Sequence, residues 1–238
     1  MEWYKDIDHT KFVGCSLTVK QSLIEEGFEE KKCTHITNCI DFSRLDLSQN
    51  PDAFKNGKKN LLLLGTDFHR KGLDIAVKAI EPIAKKYNIA LQIPCYNSEK
   101  AIKFINQALG HKCDFCEFPP LTNYIGDYYR ACDLFLAPSR AEGLCYAILE
   151  AIYCKALLLK SNIREMNYNI SHEEIFTFDG TVENLTHKIE HMLNMPMDEK
   201  EKFLDDLQKE IICNNSVEIW GKQLVQLYQD LYHHGNAN

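Results

Sequence analysis

The chain has 238 residues, of which 45% are hydrophobic and 26% charged, the composition of a protein that buries a core and does not stay disordered. Its length exceeds a typical single domain and falls short of two full-sized ones. A formal charge of -7 argues against nucleic acid as a partner, because such binders present a basic face that displaces counterions from phosphates.

The opening Met1-Glu2-Trp3-Tyr4-Lys5-Asp6 carries early acids and no apolar core of signal-peptide length. No stretch approaches the roughly twenty apolar residues of a membrane span. The chain therefore reads as cytoplasmic, a reading compatible with peripheral attachment at the inner face of a membrane. Lys11 to Ser16 has the pattern of a short strand, Thr18 to Glu26 that of a helix stopped by Gly27, and Cys33 to Thr37 that of a second strand. A polar stretch follows to Lys59.

From Asn60 onward, short apolar runs alternate with helix-period segments, as in a parallel sheet wound with helices. The strands are expected at Leu61 to Leu64, Ala90 to Ile93, Asp114 to Phe118, Leu134 to Ala137, Ala156 to Lys160 and Ile175 to Phe178. Helices are expected between them at Leu73 to Tyr87, Glu99 to Leu109, Leu121 to Arg130 and Glu142 to Cys154, with Pro82 placed to kink or end the first. Val182 to Leu193, Met197 to Ile212 and Val217 to Tyr232 read as closing helices. The fold class is α/β, a doubly wound parallel sheet followed by C-terminal helices.

The ten cysteines are expected mostly as small core residues in a reducing compartment. One tight pair, Cys113-Asp114-Phe115-Cys116, has the spacing of half a zinc site or of a redox dithiol, without a second pair of matching spacing. On a strand from Asp114, period-two alternation points the two thiols to opposite faces.

In an open parallel sheet the ligand lies outside the carboxyl ends of the strands. After the first of these strands, Gly65-Thr66-Asp67-Phe68-His69-Arg70-Lys71-Gly72 sets two cations at a helix start, the makings of an anion site for a diphosphate; the plainer reading is a solvated basic turn. After the fourth comes Ala137-Pro138-Ser139-Arg140-Ala141-Glu142-Gly143-Leu144-Cys145-Tyr146 and, on the same apolar helix, Glu150. Eight residues are just over two helical turns, so Glu142 and Glu150 are expected on one helix face, about 12 Å apart along the axis. Gly143 lets a ligand approach the backbone. A carboxylate among apolar residues needs a partner.

The Pro-Ser-x-x-Glu-Gly run, the seven residues between the two glutamates, the preceding Tyr129-Arg130-Ala131-Cys132-Asp133 and the upstream Gly65-to-Gly72 turn together resemble the retaining GT-B glycosyltransferases of family 4, with their E-x7-E signature. Val13-Gly14-Cys15-Ser16 resembles the end of that family's N-terminal domain, and His35 to Asp41 its interdomain crossover. The resemblance implies three parts: residues 1-40 as the remnant of a first domain with the crossover, 41-213 as a Rossmann-like sugar-nucleotide-binding domain, and 214-238 as a helix returning toward the N-terminal segment.

It also implies transfer of a hexose from a nucleotide-diphosphate sugar to a glycan, glycolipid or protein acceptor, with no metal or other cofactor. Lys71 and Glu142 are the implied catalytic pair, Lys71 neutralising the diphosphate and Glu142 bonding the transferred sugar. The backbone N–H groups of Leu144, Cys145 and Tyr146 would face sugar and phosphate, Glu150 would bind ribose, and Phe118 and Pro119 the base. Gly65, Thr66, Arg70 and Gly143 complete the implied donor site. The chain departs from the family pattern at Thr66, where Arg is usual, at Cys145 in place of a second Gly, at Lys155 and Leu157, and at Pro94-Cys95. With most of a first domain lacking, a partner chain or self-association would supply it, and a noncatalytic donor-binding or partner subunit of a heteromeric glycosyltransferase is the alternative. A dehydrogenase is disfavoured, since no Gly-x-Gly-x-x-Gly follows any strand.

Overall fold

The computed structural model describes residues 11–168 and 170–235; the opening Met1 to Asp6 examined for a leader lie outside the described residues. The backbone forms two units, Phe42–Ile211 and the combination of Met1–Asp41 with Ile212–Asn238. In the smaller unit, β1 (Phe12–Gly14) and β2 (Cys33–His35) pair in parallel around α1 (Leu17–Glu25). Ser16 caps that helix by accepting the Val19 N–H at 3.2 Å.

In the larger unit the chain runs α2 (Ser43–Asp46), β3 (Lys59–Leu63), α3 (Leu73–Ile80), β4 (Ile89–Gln92), α4 (Ser98–Leu109), β5 (Cys116–Glu117), α5 (Ile125–Ala131), β6 (Leu134–Ala137), α6 (Tyr146–Tyr153), β7 (Leu158–Ser161), β8 (Thr177–Phe178) and α7 (Val182–Asn194). Two helices close the chain, α8 (Met197–Asn215) and α9 (Val217–Gly235). Among the described residues no helix is long and apolar enough to cross a membrane.

Strands β3 to β8 form one sheet in the order β5-β4-β3-β6-β7-β8, parallel at every pairing. Helix α3 packs with α4 and α7, and α5 with α6 and α2, so the central strands are covered. Leu61, Leu62 and Leu63 are at most 1% exposed, which is why β3 reads as an unbroken apolar run. Each such leucine contributes roughly 1.5–3 kcal/mol by burial.

Three expected elements are corrected. Helix α3 stops at Ile80, because Pro82 has no N–H to continue the ladder. Strand β5 holds only two residues, so Cys113 precedes it across a bend at Asp114 and Phe115, and its sulfur lies 3.3 Å from that of Cys116 instead of on the opposite face. Helix α6 begins at Tyr146, with Cys145 extended at its N-cap; Glu142 therefore stands in the loop before the helix and shares no helix face with Glu150.

Two loops leave the sheet side by side, one after β3 and one after β6, and they touch at Gly72. That residue has φ 70°, and a Cβ there would sit 1.9 Å from the carbonyl oxygen of Pro138. Gly72→Ala should lower stability by about 2–4 kcal/mol through backbone strain and overpacking. Gly143→Ala, which meets nothing within 4 Å, should change it by less than about 0.5 kcal/mol. Urea unfolding followed by circular dichroism measures both, and equal midpoints for the two variants would contradict the contact.

Candidate functional site

From β3 the chain winds outward through β4 to β5, then returns to lay β6 on the other side of β3. The crevice between β3 and β6 is thus the topological switch point, where loops leaving the carboxyl ends diverge and leave room for a ligand. Lys71 and Arg70 stand in the loop after β3, and Glu142 in the loop after β6. Gly65, at φ 133°, makes space for the lysine, since a Cβ there would lie 2.6 Å from Lys71 Cγ.

Lys71 Nζ donates to Glu142 Oε1 at 2.6 Å, and Arg70 Nη1 to Glu142 Oε2 at 3.1 Å and to the Ala141 carbonyl at 3.1 Å. Arg70 also pairs with Asp67, Nε to Oδ2 at 3.3 Å. The two loops are clamped again where Arg140 meets Asp74 through two bonds of 2.7 and 2.8 Å and donates to the His69 carbonyl at 2.6 Å. The Glu142 side chain is 7% exposed, and a carboxylate so placed requires charged partners.

Burial opposes ionisation of Glu142, but Lys71, the nearby Ser139 hydroxyl and Arg70 outweigh it and hold the carboxyl below its ordinary value. Ser139 Oγ is itself buried without meeting the geometry of a hydrogen bond to any described residue. It borders a cavity of about 10 Å³, room for a single water, which Lys71 and Cys145 also line.

The remaining expected site residues fall into separate places. Gly143 faces open space. Two of the three expected backbone donors are already engaged: the Cys145 N–H bonds Tyr168 Oη at 3.1 Å, and the Tyr146 N–H bonds the Leu144 carbonyl at 3.1 Å. Tyr168 Oη in turn donates to the Cys145 carbonyl at 2.9 Å. Thr66 is exposed at the start of the β3 loop, and Phe118 and Pro119 lie half-buried just after β5.

Glu150 does not join Lys71 and Glu142. It is 8% exposed on α6, accepts the Tyr129 hydroxyl at 2.9 Å and is ion-paired with Arg44. Sequence reading missed Arg44, Tyr168, Asp67 and the Ser139 hydroxyl as members of these clusters. Ser139 stood inside the Pro-Ser-x-x-Glu-Gly run and was legible there; Arg44 comes from 106 residues away, beyond any local pattern. A larger cavity, about 480 Å³, lies near the carboxyl ends of β7 and β8. There Lys160 and Lys188 face Glu173, Glu174 and Asp179, a balance that disfavours an anionic ligand.

Fold and site define a doubly wound α/β protein with a charged cluster at its switch point. Residues 46–210 match the family described as Glycosyl transferases group 1, and the chain belongs to that family. It is 25% identical over 166 residues to the capsular polysaccharide biosynthesis glycosyltransferase CapH of Staphylococcus aureus, covering 67% of this chain and 45% of CapH. The fold is shared with a glycosyltransferase from Rickettsia africae (TM-score 0.82, 17% identity, 97% of this chain and 66% of that one). It is shared also with Anabaena Alr3699/HepE, solved with UDP and glucose (TM-score 0.80, 15% identity, 93% and 63%). The chain spans less than half the length of the curated relatives it matches.

A carboxyl whose folded pKa lies below its unfolded value stabilises the fold above the unfolded value and loses that contribution as pH falls through the folded one. For Glu142 the contribution is present above about pH 4.5 and lost below it. Glu142→Gln should flatten the acid limb of the stability curve, read by thermal unfolding at fixed ionic strength. Parallel curves for variant and wild type would show that the carboxyl has no such role.

Proposed function

We propose that this chain is the donor-binding part of a retaining, metal-independent hexosyltransferase of the family 4 type. It would move a hexose from a nucleotide-diphosphate sugar to a glycan, glycolipid or protein acceptor. The observation that carries this reading is the meeting of Lys71, Arg70 and Glu142 across the β3–β6 switch point. Donor binding lets Lys71 exchange the Glu142 carboxylate for a phosphate oxygen, one anion for another, while Glu142 turns to a hydroxyl of the sugar. Charge that develops on the departing diphosphate is then met by Lys71 and Arg70 already in place.

The strand order supports the placing of the nucleoside. Phe118 and Pro119 follow β5, two strands from β3, or roughly 10 Å at ordinary strand spacing, which is on the scale of a nucleoside between base and diphosphate. Glu150 receives the ribose in this reading by exchanging Arg44 for the ribose hydroxyls. Acceptor and first domain belong to a longer polypeptide, a second copy or a partner chain.

A second reading, a donor-binding subunit without turnover that stabilises a partner glycosyltransferase, is favoured by the internal use of the Cys145 and Tyr146 N–H groups. A monomer that binds donor unaided and turns it over when supplied with acceptor would count against it.

Isothermal titration with UDP-, GDP- and ADP-hexoses should show saturable binding of at least one. Lys71→Ala should weaken it at least about tenfold, on the scale of one charge-assisted contact. Glu150→Gln should cost about 1–3 kcal/mol if ribose hydroxyls donate to the carboxylate. Binding of none of the donors, or binding unchanged in Lys71→Ala, would overturn the reading.

A further inference from the structure

We propose that Cys113 and Cys116 are a reversible dithiol, oxidised by small-molecule disulfides to an intramolecular disulfide at the start of β5. The bend at Asp114 and Phe115 brings the two sulfurs to 3.3 Å, and both flanks of the bend are held. The Cys113 N–H donates to Asn106 Oδ1 of α4 at 3.0 Å. On the other side the Phe115 carbonyl accepts the Leu91 N–H at 2.8 Å, and Cys116 sits opposite Leu91 in the sheet. Closing the ring therefore asks little further ordering of the chain, and ordering is what a flexible pair of thiols has to pay for.

The two thiols also differ in the way an exchange reaction requires. Bonding from Cys116, helped by the N–H groups of Phe115 and Cys116, outweighs burial and brings the Cys113 thiol down to about 7, where a large share is thiolate at neutral pH. Cys116 is driven far the other way, first by its bond to Cys113 and then by burial. Burial pushes the Cys145 thiol up to about 11 and that of Cys154 to about 12, which leaves them poor nucleophiles. Cys113 is half-exposed, so an oxidant reaches it. Among the described residues no set of three or more His, Cys, Asp or Glu side chains is placed to hold a metal ion, which leaves the pair its own sulfur chemistry.

The exchange balances with glutathione disulfide as oxidant. The Cys113 thiolate attacks one sulfur of the oxidant; the S–S bond breaks, one glutathione thiolate departs and a mixed disulfide remains on Cys113. With its charge gone, Cys113 no longer holds the proton on Cys116, which passes to solvent. The Cys116 thiolate then attacks the Cys113 sulfur and releases the second glutathione. The protein gives up two electrons and two protons, and one glutathione disulfide becomes two glutathione molecules.

The test incubates the full chain in buffers of graded glutathione and glutathione disulfide, followed by acid quench, alkylation and peptide mapping. The expected result is loss of two hydrogens from the peptide containing Cys113 and Cys116, reversed by dithiothreitol. Cys116→Ala should stop at a mixed disulfide on Cys113, and the pH midpoint for alkylation of Cys113 should rise from about 7 in that variant. Both thiols alkylated in every buffer, a glutathione adduct that never resolves in the wild type, or other cysteines oxidised first would each overturn the proposal.

Discussion

The ion pair between Lys71 and Glu142 ties together the two loops that leave the adjacent strands β3 and β6. Each charge sits in a loop leaving one of two adjacent strands, and neither carboxylate nor ammonium is fully solvated. Separating them inside the loops would leave a poorly hydrated charge, a penalty that exceeds the small net gain of forming such a pair. The interaction therefore acts less as a source of stability than as a constraint that fixes how the loops meet. Gly65 and Gly72 exist to permit that meeting: one opens space for the lysine stem, and the other lets backbone pass against the Pro138 carbonyl.

Local pattern made part of this fold legible in the amino-acid sequence. Strands β3, β4, β6 and β7 and helix α7 follow from local hydrophobic pattern, because each is buried in the way its period requires. The start of α6 does not. Residues 142 to 145 have helix-like spacing, yet Arg70 bonding to the Ala141 carbonyl and Tyr168 bonding to Cys145 supply partners from elsewhere in the chain that hold the segment as a loop. The sheet similarly overrides the expected alternation at Cys113 and Cys116, since β5 is only two residues long. Tertiary hydrogen bonds decided these cases, and no window of sequence contains them.

Glu150 shows the same limit from the other side. An isolated carboxylate on an apolar helix called for a partner, and it has two, Tyr129 and Arg44. What the pattern could not give was their identity. The family assignment rests on the match over residues 46–210; the placing of diphosphate, sugar and ribose on the two clusters is the proposed reading. The chain covers less than half of its curated relatives.

A crystal structure of this chain with a bound nucleotide-diphosphate hexose probes the switch-point site most directly. The proposed exchange of anions requires Lys71 Nζ within hydrogen-bond reach of a phosphate oxygen, with Glu142 released toward a hydroxyl of the hexose. A ligand seated at other strand ends, with the Lys71–Glu142 pair intact beside it, would contradict it.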